Sequence, residues 1–153
     1  MSWRIACTER ILTEHIPAPP SEVRDFYVDL NNIKQVHPLV VAVRATDRQT
    51  TSDGYVQTYR VDDRIPLGPF ILRTRYTARL NVPATGDVTA EARQFPGVRL
   101  SSTVTFEDVD AGTRVTERVR IQAPRPLAAI TTREAIKAHI ATLSGIRRVF
   151  EDR

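Results

Sequence analysis

Cysteine is almost missing. Cys7 is the single one in 153 residues, so no internal disulfide can form, which agrees with a reducing compartment. Lysine is scarce as well: Lys34 and Lys137 are the only two, and the remainder of the 22 cationic side chains are arginine. No apolar run approaches the roughly 18 residues that a membrane-spanning helix requires. Charges interrupt the N-terminal stretch MSWRIACTERILTEH every few residues, which excludes a signal-peptide core and leads us to expect a cytoplasmic protein. His15, His37 and His139 lie far apart, and neither Cys-x-x-Cys nor His-Glu-x-x-His spacing occurs. No metal is therefore expected. Gly-x-Ser-x-Gly and Gly-x-Gly-x-x-Gly are also missing, so there is no hydrolase elbow or dinucleotide loop, and no cofactor is expected.

What is present reads as one domain over residues 1–153, a length that suits a single core. Hydrophobic residues make up 41% and charged residues 26%, the balance of a globular chain rather than a disordered one. The net charge is +4, but acidic residues are interleaved with the arginines throughout. No block resembles a nucleic-acid arm, and no aromatic residue alternates with the arginines as a single-strand platform requires.

Periodicity orders the elements. Residues 3–16 alternate as a strand. PAPPSEVRDFYVDL then begins a helix, with Ser21 the expected N-cap and Val23, Phe26, Tyr27 and Leu30 on one face. NNIKQVHP reads as a second short helix that ends before Pro38. Strands are expected over residues 39–47, 54–65, 70–81, 87–95, 98–109 and 112–122, separated by Gly-containing hairpin turns. The final segment changes period. Ala135, Ile136, Ile140, Leu143, Ile146 and Phe150 recur at helical spacing, predicting an amphipathic helix of roughly 20 residues. Gly145 within it marks a bend or a close approach to the sheet. The fold class is α+β, in the order β-αα-β6-α, with a curved antiparallel sheet of six to seven strands wrapped around the last helix.

Period-2 parity sorts the strand faces. The inward set includes Tyr55, Gln57, Tyr59 and Val61, then Phe70, Leu72, Thr74, Tyr76, Ala78 and Leu80. Ser102, Val104 and Phe106 follow, and finally Val115, Glu117, Val119 and Ile121. The outer face carries most of the arginines, and the sorting finds none inside. Tyrosines, amides, hydroxyls and one carboxylate make poor filling for a dry core, because each needs a partner. They suit the lining of a small-molecule cavity.

The front segment IPAPPSEVRDFYVDLNNIKQVHPLV and the late segment GTRVTERVRIQAPRPL resemble the START-like helix-grip superfamily, and within it the bacterial polyketide cyclase/dehydrase and lipid-transport group. The resemblance rests on Ala18-Pro19, Asp29, His37-Pro38 and the Gly112-Thr113 turn, and it covers nearly the whole chain. Many members carry a tryptophan before the His-Pro, where this chain reads IKQVHP; its only tryptophan is Trp3. The resemblance implies a cavity between sheet and last helix that holds a hydrophobic ligand, and it does not imply catalysis.

The expected partner is thus a hydrophobic small molecule (lipid, fatty acyl or polyketide-like), and a homodimer is compatible with the sequence. Expected ligand contacts are Tyr55, Gln57, Tyr59, Phe70, Thr74, Tyr76, Ser102, Phe106, Glu117, His37 and His139. Glu117 is the candidate base should the cavity be an active site of the cyclase/dehydrase type, with the tyrosines as donors to a developing enolate.

Overall fold

The computed structural model describes residues 4–153, apart from the side chain of Leu67. Trp3 lies outside the described residues. The element order is β1 (Ile5–Ile16), α1 (Pro20–Val28), α2 (Leu30–Ile33), β2 (Val40–Thr51), β3 (Gly54–Leu67), β4 (Phe70–Pro83), β5 (Val88–Gln94), β6 (Val98–Val109), β7 (Gly112–Pro124) and α3 (Arg125–Glu151). The seven strands form one antiparallel sheet in the order β1-β7-β6-β5-β4-β3-β2. β2 to β7 are a meander. β1 closes on β7, and α1 with α2 carries the chain from that edge to the other.

Three local expectations are corrected. Pro20 and not Ser21 opens α1: Pro19 is the N-cap residue and no side chain caps the helix. The fixed φ of proline already suits a first helical turn, and its missing N–H costs nothing there. β2 runs on to Thr51 because Thr51 pairs with Gly54 across a tight turn, with irregularities at Val40/Ala42 and Ala45/Asp47. α3 has 27 residues, about 40 Å at 1.5 Å per residue. It starts directly after Pro124, and Pro126 lies in its first turn.

The core has two parts. Ile16, Val23, Phe26, Val104, Val115, Leu143, Ile146 and Phe150 pack where α1 and the C-terminal half of α3 meet β1, β6 and β7. Val28, Tyr59, Val61, Ala78, Leu80, Val82 and Val88 form the second part over β3 to β5. The buried residues of α3 begin only at Ala138. Its N-terminal half leaves the inner face less covered.

The motifs singled out in the sequence meet at one corner. Gly112, at φ 154°, leaves no room for a side chain, since a Cβ there would overlap the Ile16 carbonyl oxygen. The Thr113 hydroxyl donates to the Ala18 carbonyl at 2.7 Å, in a buried position. This bond ties the start of β7 to the β1–α1 corner.

Arg75 pairs with Asp62, Arg93 and Arg99 with Glu91, and Arg114 with Glu107 on the outer face. Exposed pairs of this kind contribute little stability. The parity sorting is incomplete in one respect. Arg10 pairs with Val119 and so shares the face of Glu117. Arg48 pairs with Gln57 because the β2 irregularity shifts the alternation. Two arginines therefore stand on the inner face.

Gly145 marks a close approach, but to the chain after α2 and not to the sheet. A Cβ there would lie 2.8 Å from Val36 Cβ. Alanine improves helix propensity by about 1 kcal/mol, whereas overpacking against an unyielding Cβ costs about 1–3 kcal/mol. Gly145→Ala should lower the midpoint of thermal unfolding by a few degrees. A melting curve at or above that of the parent would show that Val36 gives way.

Candidate functional site

Glu117 is 1% exposed and lies between Val115 and Val119 on β7. It pairs with Leu12 on one side and Val104 on the other, so apolar neighbours supply no counter-charge. α3 supplies it. His139 Nδ1 donates to Glu117 Oε1 at 2.6 Å. A carboxylate withdrawn from water is tolerable only when paired in this way.

His139 takes its place by helical spacing. His139, Leu143, Ile146 and Phe150 form one stripe (i, i+4, i+7, i+11), and the last three belong to the core. Burial pulls the His139 pKa down, but the Glu117 charge, the bond to it and the charge of Asp63 more than reverse this, so the net shift is upward. His37 lies beyond, its ring centroid 6.2 Å from that of His139. The Leu39 N–H donates to His37 Nδ1 at 3.2 Å, which leaves the proton of the neutral ring on Nε2. Burial, then the neighbouring His139, lower its pKa to about 4. At neutral pH His37 is therefore uncharged.

Asp63 completes the group. It is 8% exposed and pairs with Thr74 across the β3–β4 ladder. Burial, then the nearby Asp62, raise its pKa from 3.8 to about 6 against the opposing pull of His139. Its Oδ1 and the Thr74 hydroxyl are both buried with no hydrogen-bond partner. Two phenols flank the carboxyls. Burial and then Glu117 push Tyr27 well above the usual tyrosine range. Burial and then Asp63 do the same to Tyr76. Both phenols keep their protons and can donate.

Of the residues expected from the sequence, Glu117, His139, His37, Thr74 and Tyr76 are thus brought together. The other inward residues of β3 belong elsewhere. Arg48 stacks 4.0 Å over the Tyr55 ring. Gln57 donates to the Asp47 and Thr58 carbonyls and accepts from Arg48 Nε. The Tyr59 hydroxyl reaches the Val28 carbonyl at 3.4 Å. These three side chains are engaged by β2 and α1. Phe106 packs edge-on against Tyr27 at 5.7 Å. Ser102 sits between Ala90 and Val119 in the register. Phe70 is 73% exposed beside the β3–β4 turn, away from the polar group.

Sequence reasoning missed Asp63 and Tyr27. For Asp63 a signal was present, since the series Tyr55, Gln57, Tyr59, Val61 reaches it at the next step of two. Tyr27 offered none, because a tyrosine on the buried face of an amphipathic helix reads as packing.

Burial along the inner face of β4 falls steadily toward the hairpin. Leu80 and Ala78 are buried, Tyr76 and Thr74 half-buried, Leu72 and Phe70 exposed. The polar group therefore lies where the inner face of the sheet becomes progressively less covered toward the β3–β4 end. Two concavities of defined volume lie elsewhere. One of about 540 Å³ is lined by Arg79, Glu91, Arg118 and Arg120, from the arginine-rich outer face. One of about 370 Å³ lies between Arg10 and the Thr132–Ile140 flank of α3. Among the described residues no cluster of His, Cys, Asp and Glu could hold a metal ion, and no helix is long and apolar enough to cross a membrane.

A curved antiparallel sheet gripping a C-terminal helix defines the helix-grip class. Residues 11–151 match the polyketide cyclase / dehydrase and lipid transport family, and the chain belongs to it. Similar solved structures carry the same fold. TTHA0849 from Thermus thermophilus is 18% identical over 92% of this chain and 95% of its own, with a TM-score of 0.74. The di-domain aromatase/cyclase BexL, from the BE-7585A biosynthetic pathway, is 17% identical over 96% of this chain and 51% of its own, TM-score 0.75. The ZhuI aromatase/cyclase from Streptomyces sp. R1128 is 16% identical over 95% of both chains, TM-score 0.65. No curated protein matches the sequence.

Asp63 also predicts a pH dependence. Its carboxyl binds a proton more tightly folded than unfolded, so it costs stability as pH rises from 3.8 through about 6. That difference corresponds to about 3 kcal/mol at neutral pH and vanishes below both values. Asp63→Asn should match the parent near pH 3.5 and exceed its stability near pH 8. Denaturant unfolding at both values measures the gap; a gap that is the same at both would count against a buried, ionisable Asp63.

Proposed function

We propose that this protein is an intracellular binding or transport protein for a hydrophobic small molecule of lipid, fatty acyl or polyketide-like type. The molecule sits in the cleft between sheet and α3, with its polar end at Asp63 and His139. The observation that carries this reading is the pair of buried, unpartnered acceptor and hydroxyl groups, Asp63 Oδ1 and Thr74 Oγ1. A buried polar atom without a partner costs about 1–3 kcal/mol, and a ligand hydroxyl or protonated head would relieve it. The family to which the chain belongs supports the same ligand class.

A specific contact favours a second reading. Glu117 holds His139 at 2.6 Å, as a carboxylate holds an imidazole that exchanges protons with a substrate. Asp63, titrating at about 6, adds a second group suited to proton transfer near neutrality. With Tyr27 and Tyr76 as donors, this set would serve enolisation and dehydration of a poly-β-ketone, a cyclase/dehydrase-type reaction.

Native mass spectrometry of the protein as purified, followed by extraction of what it holds, tests the first reading. A stoichiometric lipid- or polyketide-sized mass is expected, and Asp63→Asn with Thr74→Val should weaken its retention. An empty protein that also fails to bind a fluorescent fatty-acid probe would sink it. Glu117→Gln separates the two readings. A carrier loses about 1–2 kcal/mol of ligand affinity at most, whereas an enzyme loses about 10²-fold or more in turnover of the ligand so identified.

A further inference from the structure

The segment Arg64-Ile-Pro-Leu-Gly-Pro-Phe-Ile-Leu-Arg73 contains no polar side chain between its two arginines. It is the β3–β4 hairpin, and it stands clear of the sheet. β2 stops pairing with β3 at Asp63, and β5 stops pairing with β4 at Thr77. The last bond holding the arm to a neighbour runs from the Arg64 N–H to the Leu39 carbonyl at 2.8 Å. Beyond it, among the described residues, the two strands pair only with each other, down to Leu67 and Phe70. Phe70 is 73%, Ile71 57% and Leu72 47% exposed.

Three features choose the occupant. First, the arm is apolar on both faces, because Phe70 and Leu72 point one way and Ile71 the other. A protein groove or a second sheet would cover one face; lipid covers both. Second, Arg64 and Arg73 are paired directly across the ladder at the base of the arm. Neither belongs to an ion pair among the described residues. Two like charges held opposite each other repel, and lipid phosphates would relieve them. Third, Pro66 and Pro69 lack the N–H that edge pairing with another copy of this chain would use. From the arginines to the turn the arm is three to four residues long, about 10–14 Å, a depth that reaches from headgroup phosphates into the upper acyl region of a leaflet.

We propose that the β3–β4 hairpin is a membrane-docking arm. Its tip enters the surface of an anionic bilayer, and Arg64 and Arg73 sit on the phosphates. This goes beyond ligand binding in the cleft and does not depend on it.

Flotation with vesicles of equal parts phosphatidylglycerol and phosphatidylcholine tests the arm. The 153-residue protein should float with them, less so with phosphatidylcholine alone, and less again as salt is raised. Removing the two apolar side chains in Phe70→Ser with Ile71→Ser should weaken binding at least about tenfold. Arg64→Gln with Arg73→Gln should weaken it about tenfold or more on the anionic vesicles only. These residues are exposed, so the variants should fold, and an unchanged circular dichroism melt checks it. Ile11→Ser, an exposed apolar residue on β1 at the opposite edge of the sheet, should bind like the parent. Absence of flotation by the parent overturns the proposal, as does flotation unaffected by the tip variants. A parent that is dimeric by size exclusion, and becomes monomeric in Phe70→Ser with Ile71→Ser without ever floating, would assign the arm to a second copy instead.

Discussion

A carboxylate that cannot reach water organises the interior. Glu117 lies in the middle of β7 among apolar neighbours, and His139 meets it at 2.6 Å from α3. The bond fixes which way α3 is rolled on the sheet. With His139 turned to Glu117, helical spacing turns Leu143, Ile146 and Phe150 to β1, β6, β7 and α1. It also fixes how far along the sheet the helix lies, since Gly145 then falls against Val36 with no room for a Cβ. One charge-assisted contact thus sets the seating that the apolar stripe, which tolerates small slides, would leave loose.

The same contact adds to what burial does to the protonation of the groups near it. Burial holds His37 neutral, and because Glu117 favours the charged form of His139, a second positive charge 6.2 Å away is disfavoured as well. At Asp63 burial, and then the neighbouring Asp62, outweigh the pull of His139, and its pKa rises. The phenols of Tyr27 and Tyr76, beside carboxyls and out of water, keep their protons. The polar floor consequently offers donors, and one acceptor whose charge depends on pH. Under the proposed function such a floor would receive a hydroxyl or protonated acid group, and the same set would serve proton transfer. Binding and catalysis differ here in what sits on the floor, not in how the floor is built.

Much of the fold was legible because the chain is locally consistent. The strands over 70–81, 98–109 and 112–122 were readable from parity and from the Gly-containing turns between them, and the change of period after Pro124 announced the last helix. Glu117 and His139 were legible as the polar members of apolar stripes, but their union was not, because parity gives a face and says nothing of what crosses from the other layer. Asp63 was one step beyond a series already read. Tyr55, Gln57 and Tyr59 were legible as inward and polar, yet their partners come from the irregular stretch of β2 and from α1, which no periodicity locates. Arg48 faces inward only because β2 departs from strict alternation between Ala45 and Asp47. Phe70 and Leu72 have the parity of the core and stand outside it because β2 and β5 end before they are reached, and strand ends are set by neighbours rather than by the strand's own residues.

β4 joins the two functions argued for this molecule. Its inner face runs from packed core at Leu80 and Ala78, through the polar floor at Tyr76 and Thr74, to the bare apolar tip at Leu72 and Phe70. A ligand whose polar end meets Asp63 and Thr74 has only one direction in which to lay its apolar body, toward Leu72 and Phe70, where the protein leaves that face uncovered. On that reading the ligand and the bilayer draw on the same apolar surface. Whatever covers Leu72 and Phe70 from within leaves less of the arm to insert, and by linkage an inserted arm holds its ligand less tightly. A carrier built this way would approach lipid most strongly when empty and would let go most readily when docked. The coupling requires no moving lid, only one strand too long for its neighbours.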